Sequence, residues 1–139
     1  MFRSRLSGPA AFVPTVIRLV AGGAIVGFGI GKFVDHAQEV RDFSGFGVPL
    51  PELSVPLAGT VEVVGGLLVV IGLLTRPAAL AVAANLLGAL LTAGVNEGGT
   101  FHLIVGPTFM LAMLVLVVTG AGALGVDNLI AGRRQINTT

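Results

Sequence analysis

Four apolar stretches, at about residues 10–33, 53–74, 77–95 and 101–119, alternate with short polar segments. About 20 apolar residues rising ~1.5 Å each cross the ~30 Å hydrocarbon core of a bilayer, so the pattern predicts an all-α, four-transmembrane-helix bundle. The first stretch, from about Ala10 to Phe33, follows a polar, basic segment carrying Arg3 and Arg5. A secretory apolar region is uncharged and only roughly 7–15 residues long, whereas this one is longer and contains Arg18; it reads as a retained span. Pro14 suits its first turn. Gly23, Gly27 and Gly31 recur every four residues on one face, where small residues let membrane helices approach closely.

Residues 35–52 form the longest hydrophilic segment. They predict either a short interfacial helix over 35–43, showing Val40 and Phe43 to the membrane surface, or an irregular connection. The second span, Leu53 to Leu74, has Pro56 in its first turn, and Pro77 ends it and opens the third. The third carries Asn85 and closes on Asn96-Glu97-Gly98-Gly99. In the fourth, Gly106-Pro107 predicts a bend, tolerated where neighbours satisfy the freed carbonyls. Gly120-Ala121-Gly122 ends it, and an amphipathic tail with Arg133 and Arg134 follows Asp127.

Composition agrees: 54% of the 139 residues are hydrophobic, 11% are charged and mean hydropathy is +0.96. A water-soluble domain needs roughly a quarter of its residues charged, so one membrane domain over residues 1–139 is expected. No basic face or stacking platform suggests nucleic acid. The chain has no cysteine, which excludes disulfides, dithiol redox chemistry and thiolate metal sites, and no histidine spacing suggests a metal. Arg3, Arg5, Arg76, Arg133 and Arg134 fall on one side of a four-span topology, with Lys32 and Arg41 on the other. Positive residues favour the cytoplasm, which puts both termini there and the longer 35–52 loop outside.

The residue that most constrains function is Glu62, a carboxylate in mid-span. A charge at that depth costs roughly 2.5–3.5 kcal/mol on insertion scales and needs a partner, a proton or a polar cavity. Depth counted from the helix ends brings Arg18, Asn85 and Glu62 within reach of one another and suggests an Arg18–Glu62 pair beside Asn85. Arg18 snorkelling to the surface, an Asn85 bond between helices, and a protonated Glu62 are the structural alternatives. Lys32, Asp35, His36, Glu97 and His102 gather near the outer helix ends, where His102 could line the mouth of the bundle.

Arg18, Gly31-Lys32-Phe33, Phe46-Gly47-Val48-Pro49, Glu62-Val-Val-Gly65-Gly66, Gly72-Leu73-Leu74-Thr75-Arg76 and Gly120-x-Gly122 with Asp127 together resemble the DoxX family, in order along nearly the whole chain. Gly125 departs from the Ser seen two residues before the final Asp in many relatives. The resemblance implies a multi-pass protein of the bacterial inner membrane. It points to relatives among thiosulfate:quinone oxidoreductase subunits, quinone-stress proteins and membrane oxidoreductase complexes, and more distantly to cargo receptors and assembly chaperones. It carries over Arg18, Lys32, Glu62 and Arg76 as polar bundle residues, with Gly65 and Gly66 joining Gly23, Gly27 and Gly31 in packing. One expected function is a subunit of a redox-associated complex that binds a quinone headgroup or small anion. With no cofactor motif of its own, such a quinone-linked oxidoreductase subunit needs a partner to supply the redox centre. The alternative is a non-catalytic anchor or assembly factor held against other membrane proteins or its own copies. A small transporter is a third reading.

Overall fold

The computed structural model describes Leu6 and residues 8–136, the latter without the side chains of 132–136; Arg3, Arg5 and the side chains of Arg133 and Arg134, used above for orientation, lie outside the described residues. The described chain is helical, with no strand among those residues. A 3₁₀ turn, Gly8–Ala11, leads into α1 (Phe12–Val34). Then come α2 (His36–Gly45), α3 (Pro51–Ile71), α4 (Thr75–Ala89), α5 (Gly106–Thr119) and α6 (Val126–Ile136). Two π-helical turns, Leu90–Gly94 and Phe101–Val105, extend α4 and precede α5. Among the described residues four segments are long and apolar enough to span a membrane: Gly8–Val34, Pro51–Ile71, Thr75–Gly94 and Phe101–Thr119.

The spans form a closed ring: α1 packs on α3 and α5, and α4 bridges α3 and α5. Ile25, Val69, Ala79, Val82, Met113 and Leu116 fill the shared core. Exposed Val20, Leu57, Leu80, Leu111 and Val118 form the outer surface, as expected of a protein whose solvent is lipid.

The α1–α3 contact sets the register. Gly22 and Gly29 face Gly66 and Gly59 in antiparallel order: a Cβ at Gly22 would lie 3.2 Å from the Gly66 carbonyl oxygen, and one at Gly29 2.9 Å from that of Gly59. Gly65 lies against Val82 of α4 and Gly66 against Gly22 and Val26 of α1. The Gly23, Gly27 and Gly31 face does not pack within the chain. A Cβ on any of the three would meet nothing within 4 Å, because the α3-facing side of α1 is the one carrying Gly22, Ile25 and Gly29.

The turn between α3 and α4 comes earlier than Pro77 suggests. Gly72, at φ 73°, ends α3 in the left-handed conformation that favours glycine, and Gly72 and Leu73 both donate to the Leu68 carbonyl. Pro77 falls in the first turn of α4. At Gly106-Pro107 the helix changes from π to α, and that change accommodates a residue lacking an N–H.

Candidate functional site

Residues 36–45 are helical, and α2 crosses one end of the bundle. At its start His36 Nε2 lies 3.7 Å from Glu52 Oε2 of α3. Beyond its far end Phe46 packs edge-on to His102, with ring centroids 5.2 Å apart, and accepts a 2.7 Å hydrogen bond from Asn96 Nδ2 through its carbonyl. Glu39, Asp42 and Phe43, spaced three and four apart, share a face that lines a cavity beneath the helix. Phe43 therefore points inward rather than to the membrane surface.

That cavity has a volume of about 530 Å³. Both π-helical turns contribute to its wall, through Leu90 and Ala93 and through Phe101 and His102. Phe28 of α1 meets Phe101 and Phe109 edge-on, with centroids 5.4 and 5.6 Å away. Gly27 and Gly31 also line the cavity, where a missing side chain leaves space rather than close packing.

At the cavity wall, Glu62 is 4% exposed. Its Oε1 accepts a 2.9 Å hydrogen bond from Asn85 Nδ2, and its Oε2 lies 2.9 Å from Lys32 Nζ. The Lys32 ammonium thus pairs with a carboxylate oxygen that is closed off from solvent. Lys32, in the last turn of α1, reaches Glu62 because its Cβ rests against Gly59, one turn before Glu62.

Arg18 is not the partner of Glu62. The α1–α3 register places it toward the opposite end, opposite Val70, where Nη1 donates to the Val70 carbonyl at 2.9 Å and Nη2 to the Leu124 carbonyl at 2.7 Å. Asp127, which sequence reasoning left without a structural role, attracts the guanidinium and caps α4. Its Oδ1 accepts from Leu74 N–H at 2.8 Å and its Oδ2 from Thr75 N–H at 2.9 Å. Arg76 lies in this same first turn of α4, away from the cavity. The two groups of predicted polar residues thus separate: Lys32, Glu62 and Asn85 meet with His102 at the cavity, while Arg18 and Arg76 belong to the far end. His102 Nδ1 lies 3.1 Å from the Gly98 carbonyl oxygen and 4.0 Å from Glu97 Oε2.

The sequence profile of DoxX matches residues 13–95, which contain α1 from its second residue, α2 to α4 and the whole Lys32–Glu62–Asn85 group. The chain belongs to the DoxX family. This DoxX protein is also 38% identical over 85 residues to the uncharacterized membrane protein Rv3486 of Mycobacterium tuberculosis, across 60% of its own length and 50% of the relative's. It thus spans about half the length of the curated relative it matches. No solved structure matches it.

Proposed function

We propose that this DoxX protein is a membrane subunit of a redox-associated complex and that its cavity receives the headgroup of a membrane-soluble quinone. The observation carrying this reading is the Lys32–Glu62–Asn85 group on the wall of a phenylalanine-lined space of about 530 Å³. Ligand cavities combine apolar walls with a few placed polar groups, and roughly 300–1,000 Å³ is their usual size. Quinone carbonyls need hydrogen-bond donors: Lys32 has N–H bonds beyond the one facing Glu62, and Asn85 has a second amide hydrogen. The ring stacks on phenylalanine. A bound quinone supplies reversible two-electron, two-proton chemistry, and the electrons come from a partner protein. The small anion considered from sequence fits less well, because carboxylates outnumber the ammonium around the cavity.

Titration of the protein in non-ionic detergent with a short-chain quinone, read by equilibrium dialysis, tests the reading. Saturable binding that Asn85→Leu abolishes supports it. Absence of saturable binding, together with a stoichiometric protein partner in mild extracts, replaces it with the anchor role. We further place the protein in the bacterial inner membrane with both termini cytoplasmic, on the distribution of arginines. An impermeant thiol reagent should label Arg41→Cys and spare Arg133→Cys, and the reverse pattern inverts the topology.

A further inference from the structure

Among the described residues four carboxylates line the cavity, those of Glu39, Asp42, Glu62 and Glu97, against the single ammonium of Lys32. His102 adds positive charge only when protonated. Five of the eight phenylalanines, Phe28, Phe43, Phe46, Phe101 and Phe109, supply the aromatic part of the wall. Ring faces carry the negative side of the aromatic quadrupole and attract cations that have shed water. Inside, Glu62 is buried at the cavity wall with its Oε2 2.9 Å from Lys32 Nζ, so the one ammonium is already matched by one carboxylate. The remaining carboxylates and the rings favour a positively charged guest and disfavour a negative one.

The same surroundings narrow the guest further. Among the described residues no three His, Cys, Asp or Glu side chains converge as metal ligands, so a small hard cation has no coordination shell. The volume and the apolar walls suit a large ion of low charge density, whose desolvation costs little. We propose that the cavity selects lipophilic monocations, an apolar body bearing one protonated amine or onium centre. Glu39 and Asp42 of α2 attract the charge at the end that α2 crosses. Gly27 and Gly31 leave room for the body. This inference rests on the cavity of the quinone reading, though not on the quinone itself.

Tetraphenylphosphonium and tetraphenylborate test it, since they share size and shape and differ in sign. Binding to the intact protein is measured by equilibrium dialysis in non-ionic detergent, with protein-free micelles as blank. The phosphonium should bind saturably at one site and at least about ten-fold more tightly than the borate, the scale on which a cleft of one charge sign favours its counter-ion. Glu39→Gln combined with Asp42→Asn should remove most of that preference while leaving the melting temperature in detergent unchanged. Borate binding as tight as phosphonium binding, or no saturable phosphonium binding, overturns the proposal; a double variant that keeps the full preference overturns the role given to α2. Phosphonium binding without quinone binding removes only the earlier reading.

Discussion

The two ends of the bundle bury charge in opposite ways. At one end Arg18 and Asp127, 3% and 4% exposed, hydrogen-bond to main-chain groups: the carbonyls of Val70 and Leu124, and the N–H groups of Leu74 and Thr75. Such partners cannot leave without breaking the fold. At the other end Glu62 is equally buried, but Lys32 and Asn85 hold it by side-chain contacts beside open volume. Side chains can exchange partners by rotating. Burial of a charge in a membrane bundle therefore does not mark a binding site. Adjoining space and exchangeable partners do.

The sharpest way to break this contrast is Asp127→Ala, which strips two N–H groups of their acceptor and leaves the Arg18 guanidinium buried without its carboxylate. It should cost about 2–4 kcal/mol in detergent unfolding, roughly 1–2 kcal/mol for each orphaned N–H, with ligand binding per folded molecule unchanged. A loss under about 1 kcal/mol would show that this end is not a structural clamp. Next comes Gly29→Ala, whose Cβ would lie 2.8 Å from the Glu62 Cβ and 2.9 Å from the Gly59 carbonyl oxygen. Overpacking of that kind should lower stability by about 1–3 kcal/mol in the same measurement.

A pair of double-mutant cycles then separates the two ends. Lys32→Met with Glu62→Gln should show coupling of about 0.5–3 kcal/mol, while Arg18→Met with Glu62→Gln should add within about 0.5 kcal/mol. Coupling in the second cycle alone would restore the Arg18–Glu62 pair. The smallest effect on stability is expected for Gly27→Leu. The new side chain meets no atom within 4 Å of its Cβ, so unfolding should shift by no more than about 0.5 kcal/mol while quinone and phosphonium binding are lost. A large destabilisation would show that Gly27 packs against a neighbour in an oligomer.

The spans were legible because hydrophobic length is a local property, and Glu62, Asn85 and Lys32 stood out as polar residues in or beside apolar helices. Their pairing was not legible. Counting depth from helix ends locates a residue along the axis but not around it, and each residue turns the helix by ~100°. Gly22 and Gly29, seven apart, lie on nearly the same side of α1, and Gly59 and Gly66 repeat that spacing on α3. That reciprocal spacing is the signal that would have fixed the register and taken Arg18 away from Glu62. The four-residue repeat of Gly23, Gly27 and Gly31 was more conspicuous and lies on the other side of α1. The cap that Asp127 gives α4 joins residues 52 positions apart, so no local pattern could reveal it. The cavity escaped notice because π-helical turns and the crossing of α2 are settled by tertiary packing.

That cap also bears on the order in which the bundle is completed during synthesis. The turn between α3 and α4 holds Leu74 at a left-handed φ of 49°, and its N–H and that of Thr75 await a carboxylate that the ribosome supplies only after α5 has been made. The two middle spans can enter the bilayer as a hairpin, yet their connection acquires its acceptor, and Arg18 its counter-charge, when α6 folds back onto them. A helix made after the four spans thus closes a joint opened by the middle of the chain, and a nascent protein stalled before Asp127 would present an uncapped α4 and an unneutralised arginine to the machinery that inspects membrane proteins.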